Sequence, residues 1–197
     1  WNTIIGGISG DAITTGSGNI IIGDNAYTVC TAGDYNTVIG INAMSAVPGA
    51  QGTQGVVAIG VNALLGSGSS TAAGLNYTTA IGAYALTSLT TGTGNVAVGY
   101  QSLDAATTDD YNTAVGYQAL SGVTGTNNNW NTAIGAFAGL AVTTGLNNTI
   151  LGALAGDTMT DTGSTTLIGV KAGTSINDTD ADGTVAIGYY ALKSLTA

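Results

Sequence analysis

The stretch Asn131-Thr132-Ala133-Ile134-Gly135-Ala136-Phe137-Ala138 decides the fold, because it is one copy of a pattern that fills the chain. The pattern is a polar residue, often Asn-Thr, then two apolar residues, Gly, two variable residues and a small one. Its glycines are Gly6, Gly23, Gly40, Gly60, Gly82, Gly99, Gly116, Gly135, Gly152, Gly169 and Gly188. Six of the ten steps between them are 17 residues and the others 19 to 22, so a 17-residue unit occurs eleven times with insertions in four copies. The residue before each Gly is always Ile, Val or Leu, and the residue three after it is always Ala or Ser, from Ser9 and Ala26 to Ala172 and Ala191. Residues 1–197 therefore read as a single repeat array. The array is already under way at Trp1 and is still running near Ala197, which reads as a segment of a longer chain.

A unit of this length is too short for a helix pair. It fits one coil of an all-β parallel β-solenoid or β-roll of about eleven coils, with one strand per copy, as at Asn131-Thr132-Ala133-Ile134. A second short strand is expected after the Ala/Ser step. Turns such as Thr14-Thr15-Gly16, Thr90-Thr91-Gly92 and Thr143-Thr144-Gly145 are expected to close the coil with Gly at positive φ. Stacked at about 4.8 Å per coil, the array would be roughly 50 Å long. The insertions, in 46–55, 66–74, 124–129 and 177–183, would map to one edge.

Strand alternation assigns the columns to faces. Eleven Ile, Val or Leu in water would be a large apolar patch, so the column before Gly is expected inside. The column one residue earlier, including Ile21, Val38, Ala58, Ala97 and Ala133, then points outward and is apolar as well. A strand apolar on both faces is buried on both. A thin coil has only one inside, so the Ala-rich second column is expected to pack closely on another copy of the chain, the alternative being a coil wide enough to bury both columns. The expectation is a homo-oligomer.

Composition narrows the chemistry. The chain carries 32 Gly, 32 Thr, one Pro and one Cys, and no His, Arg or Glu. Without His, Ser-His-Asp and Cys-His catalysis and ordinary zinc sites cannot be built. Eleven Asp against Lys171 and Lys193 give a net charge of −9, which disfavours nucleic acid as a partner. Cys30 reads as a small buried hydrophobe. Gly, Thr and Asn interrupt every apolar run, so no membrane-spanning helix is expected.

At Thr132-Ala133-Ile134-Gly135 with Ala138, Asn95-Val96-Ala97-Val98-Gly99 with Ser102, and Thr184-Val185-Ala186-Ile187-Gly188 with Ala191, the sequence resembles the head repeats of trimeric autotransporter adhesins. It is similar also to repeats of bacteriophage tail and receptor-binding fibres. That resemblance implies side-by-side β-rolls in a homotrimer, forming a stiff non-catalytic rod on a cell surface or virion. Its implied partners are itself and a host-surface glycan or protein receptor.

Candidate sites are few. Asp178-Thr179-Asp180-Ala181-Asp182-Gly183 matches the first six positions of a calcium loop, with carboxylates of Asp178, Asp180 and Asp182 alternating before a turn at Gly183. Position twelve is Tyr189, so Asp157 or Asp161 of an adjacent coil, or a neighbouring subunit, would have to complete the shell. Calcium is accordingly a candidate ion, and no cofactor is required. Asn127-Asn128-Asn129-Trp130 and the pair Tyr189-Tyr190 are candidate contact residues. Tyr84, Tyr100, Tyr117 and Phe137 read as rings covering a coil edge and stacking on each other. Two other functions compete with the fibre. Asp109-Asp110 or the pair Asp157 and Asp161 would serve a tailspike-like glycan hydrolase. The Thr column at the third place before Gly (Thr37, Thr79, Thr113, Thr132, Thr149, Thr166) would serve an ice binder, although alternation places it with the inward aliphatics.

Overall fold

The computed structural model describes residues 1–47, 52–66, 75–124, 129–174, 176 and 181–193. Eleven three-residue strands run in chain order: β1 (Thr3–Ile5), β2 (Ile20–Ile22), β3 (Thr37–Ile39), β4 (Val57–Ile59), β5 (Thr79–Ile81), β6 (Val96–Val98), β7 (Thr113–Val115), β8 (Thr132–Ile134), β9 (Thr149–Leu151), β10 (Thr166–Ile168) and β11 (Val185–Ile187). They form one sheet in that order, every pairing parallel and in register, as in Thr113↔Thr132, Ala114↔Ala133 and Val115↔Ile134. The fold is an all-β parallel solenoid, and no α-helix occurs among the described residues. Residues 48–51, 67–74, 125–128 and 177–180 fall within the four inserted runs and lie outside the described residues, and with them the expectation that insertions share one edge.

No second strand follows the Ala/Ser step among the described residues. The chain turns there instead, with left-handed residues two and four places after Gly, as at Gln101 (φ 51) and Leu103 (φ 51). Their backbone groups still pair with neighbouring coils, Gln101 N–H donating back to Ala83 O (3.1 Å) and Leu103 N–H forward to Ala119 O (3.0 Å). The polar backbone of the turn is thus satisfied without a ladder.

The strand faces are the reverse of the sequence expectation. The middle column is inside: Ile21, Val38, Ala58, Ala80, Ala97, Ala114, Ala133, Ile150 and Leu167 are all fully buried. The column before Gly is outside, with Ile81, Ile134 and Leu151 about 40% exposed and Ile187 67%. The cause is the narrowness of the coil. The inward column shares one small interior with the residue four after Gly, and in most coils the two exchange volume, Ile21 with Tyr27 and Val38 with Met44 being large at both places. Ala58, Ala80, Ala97 and Ala114 go with Leu64, Leu86, Leu103 and Leu120, whereas Ile150 and Leu167 go with Gly156 and Gly173. A Cβ added to Gly173 would come within 2.7 Å of Leu167 Cδ1, and one on Gly156 within 3.0 Å of the same atom. In β8 both partners are small, Ala133 and Gly139, and Leu120 and Ile150 of the flanking coils reach in instead. The Ala column is therefore small because it packs inside its own coil.

The repeat Gly has a stricter reason. Gly60 has φ +135, and a Cβ there would lie 2.6 Å from the carbonyl oxygen of Gly82 in the next coil. The turn glycines differ from expectation: Gly92 has φ +149, but Gly16 and Gly145 are not at positive φ. Gly145 is required for close approach, because a Cβ would meet the carbonyl of Thr162.

Four residues before Gly lies a second internal ladder. Asn19, Asn36, Asn95, Asn112, Asn131 and Asn148 are buried. Each side-chain oxygen accepts the backbone N–H of the same position one coil on, for example Asn36 N to Asn19 Oδ1 (2.9 Å) and Thr165 N to Asn148 Oδ1 (3.0 Å). Several amide NH2 groups also close the turn, as in Asn131 Nδ2 to Gly145 O (3.0 Å) and Asn148 Nδ2 to Thr162 O (3.0 Å).

Candidate functional site

Three sets of side chains face water along the coils. The first is the strand face. Thr37, Thr79, Thr113, Thr132 and Thr166 lie half-buried and Thr149 exposed, in the same orientation as the column before Gly. The Thr column does share a side with those aliphatics, as expected, but that side is the outer one. It carries no charged residue in any strand.

The second set is aromatic and begins just past the repeat Gly. Tyr100 stacks on Tyr117 with centroids 5.4 Å apart, and Tyr84 and Phe137 close the ends edge-on at 6.0 and 5.1 Å. This is the edge-covering stack read from the sequence, and beside it Gln118 Nε2 donates to Gln101 Oε1 (2.8 Å). Tyr189 and Tyr190 meet edge to face at 4.5 Å. The ammonium groups of Lys171 and Lys193 each lie 5.2 Å from the centre of the Tyr190 ring. Lys171 also donates to the Tyr190 hydroxyl (3.0 Å), which holds that phenol below its ordinary value. Tyr190 is thus engaged within the chain, while Tyr189 is 74% exposed.

The third set stands five residues before Gly. Tyr35, Tyr77, Tyr111 and Trp130 are exposed there at left-handed φ of 56 to 59°. Trp130, one of the expected contact residues, stacks nearly parallel on Tyr111 at 6.3 Å. Asn129 next to it accepts the Asp110 N–H (2.7 Å), whereas Asn127 and Asn128 lie outside the described residues. The sequence reading singled out Trp130 but not its column. The signal available was position: all four rings stand at one place in the repeat.

The carboxylates mainly brace turns. Asp34 accepts the Ser17 N–H (2.8 Å), Asp110 the Thr93 N–H (2.6 Å), Asp109 the Thr107 N–H (3.3 Å) and Asp182 the Gly163 N–H (2.7 Å). Of the expected calcium loop, Asp178 and Asp180 lie outside the described residues, and Gly183 follows Asp182 at φ +78. Among the described residues no three acidic or thiol side chains converge as a metal cluster. Asp161 accepts the hydroxyl of its neighbour Thr160 (3.2 Å), and one oxygen of Asp157 is buried without a partner. No cavity occurs among the described residues, and no helix among them is long and apolar enough to cross a membrane.

One buried polar cluster sits in the early coils. The Tyr27 hydroxyl lies 2.8 Å from Thr53 Oγ1 and accepts Asn36 Nδ2 (3.0 Å). Burial pushes the neighbouring Cys30 thiol up to about 12 and the Tyr27 phenol higher still. Cys30 is free and fully buried.

Neither a family model, nor a curated protein, nor a solved structure matches the chain.

Proposed function

We propose that the chain is a non-catalytic structural and adhesive segment of a fibre on a cell surface or virion, in which copies associate side by side, three to a rod. The observation that carries this reading is the uncovered strand face. Aliphatic side chains at β1, β5, β8, β9 and β11 stand at least one-third exposed in a single column beside the Thr column, and an exposed aliphatic column of this kind marks a contact surface. A standard interface of roughly 800 Å² per partner would take about a tenth of the 8011 Å² surface of one chain. The resemblance to trimeric adhesin repeats supplies the number three. Light scattering tests it: a mass near three times 19.2 kDa supports the rod, and Ile81→Asp with Ile134→Asp should reduce it to the monomer. A clean monomer for the unaltered chain removes the reading.

The orientation of the Thr column favours one competing function. A flat, charge-free face of Thr and β-branched residues on a regular solenoid suits ice binding, and that reading requires a monomer with thermal hysteresis. The same sample in a nanolitre osmometer separates the two.

A further inference from the structure

The column five residues before Gly alternates. Down the first seven coils it reads Trp1, Gly18, Tyr35, Gly55, Tyr77, Gly94 and Tyr111, and Trp130 follows in the eighth. The glycines make room for the rings. A Cβ on Gly18 would lie 2.7 Å from the Tyr35 ring, one on Gly55 3.1 Å from Tyr77 and one on Gly94 2.7 Å from Tyr111. Each ring therefore reaches back over the glycine of the preceding coil. The Tyr77 hydroxyl is anchored there, donating to Gln54 Oε1 (3.0 Å).

The rings cover the glycines of the preceding coils but stand outside the core. Tyr35 and Tyr77 are 66% and 65% exposed, so they add little to the core. A bulky residue at positive φ is a strained choice where Gly is free of strain. The positive φ belongs to this place in the repeat, Asn147 (φ 61) and Ser164 (φ 57) sharing it, so the backbone itself does not call for an aromatic side chain.

We propose that this row is a binding track for an uncharged, extended β-1,4-linked polysaccharide. The argument is one of period. Tyr35, Tyr77 and Tyr111 are separated by two coils each, about 9.6 Å at the spacing of parallel strands. An extended β-1,4-linked chain advances by close to one strand spacing per pyranose and turns over at each residue, so the same sugar face recurs every second ring. Every second coil carries an aromatic to stack against it. An α-1,4-linked chain coils away from a straight track and lacks that match. Gln54, Asn76 and Asn129 stand one place before the ring column; their amide oxygens accept the Tyr77 hydroxyl, the Gln54 N–H and the Asp110 N–H, and their NH2 groups are the donors offered to sugar hydroxyls. A net charge of −9, with Asp34 and Asp110 in the same rim, selects a neutral polymer over a polyanion. With no cavity at hand the ligand lies along the surface, as a polymer does. The proposal rests on the adhesive part of the reading above and supplies its ligand class; it does not require the trimer.

The test is retention of the purified chain on cellulose and chitin, with cellohexaose, chitohexaose and maltohexaose as soluble competitors. The expected result is retention on at least one matrix, released by the β-linked hexamer and not by maltohexaose. Tyr35→Gly, Tyr77→Gly and Tyr111→Gly each weaken binding roughly tenfold without loss of fold, because Gly already occupies this position in the intervening coils. Circular dichroism and melting of the triple variant check that. No retention on either matrix, equal release by maltohexaose, or unchanged retention of a folded triple variant overturns the proposal. Light scattering of the same sample keeps the two failures apart. A trimer that is not retained loses the ligand but keeps the rod, and a retained monomer keeps the track and loses the rod.

Discussion

The side-chain oxygen of Asn131 accepts the backbone N–H of Asn148 at 3.0 Å, across the interval between two coils and away from water. The same side chain donates to Gly145 O (3.0 Å), so a single amide ties its own coil's turn to the next coil's strand. Asn131→Ala leaves a donor and an acceptor buried without partners and should lower the unfolding free energy by about 3 kcal/mol. Urea denaturation measures it, and a loss under about 1 kcal/mol would mean that water takes the place of the amide.

The exchange of volume across the coil predicts a coupled pair. Leu103→Gly empties part of the core and should cost about 3 kcal/mol, tempered by release of the left-handed strain at φ 51. Ala97→Leu overfills it and should cost about 2 kcal/mol. Combined, they reproduce the arrangement of Leu167 with Gly173. The double variant should be more stable than the sum of the singles by about 1–2 kcal/mol. Additive losses would show that the two positions do not share a space.

Gly60→Ala and Gly183→Ala separate close approach from backbone conformation. Both positions have positive φ, but only the first would drive a Cβ into a carbonyl, at 2.6 Å, whereas Gly183 has nothing among the described residues within 4 Å. The Gly60 variant should lose more than about 4 kcal/mol or fail to fold, and the Gly183 variant about 1 kcal/mol. Thermal melts of the two side by side decide it.

Alkaline pH should weaken the fold through Cys30 and Tyr27. Their acids are held neutral by burial, the thiol rising from 9.0 to about 12. Because the folded-state value lies above the unfolded one, the unfolded chain releases its proton first. For Cys30 stability is full below pH 9.0 and falls as pH rises toward 12, at about 1.4 kcal/mol per pH unit, and Tyr27 adds to the loss only above pH 10.0. Denaturation between pH 7 and 11 should show the decline, and Cys30→Ala should make it shallower. The same burial keeps the native thiol inert to a disulfide reagent at pH 8, and rapid native labelling would contradict the cluster as described.

Much of this was legible beforehand. Parallel in-register stacking followed from the period of the repeat Gly, and the outward stack of Tyr100 on Tyr117 from their shared place after it. The facing of the strand does not follow from apolarity, because both columns are apolar and the cost of exposing Ile and Val does not say which of them the narrow coil can hold. In most coils the paired positions agree, Ile150 with Gly156, Leu167 with Gly173 and Ala97 with Leu103, whereas Ile21 with Tyr27, Val38 with Met44 and Ala133 with Gly139 depart from the pattern. That correlation sits in the sequence and fixes both residues to one small interior. The Asn ladder was harder to see. A polar residue before a strand reads as a turn former, and only the stacking of coils makes its side chain a buried partner to the backbone above it.

Because each coil rests only on its neighbours, a copy inserted, lost or moved along the array asks nothing of distant coils. Recombination between copies can then change the length of the solenoid while leaving its cross-section untouched. The distance at which a molecule of this design presents its surface becomes a matter of copy number.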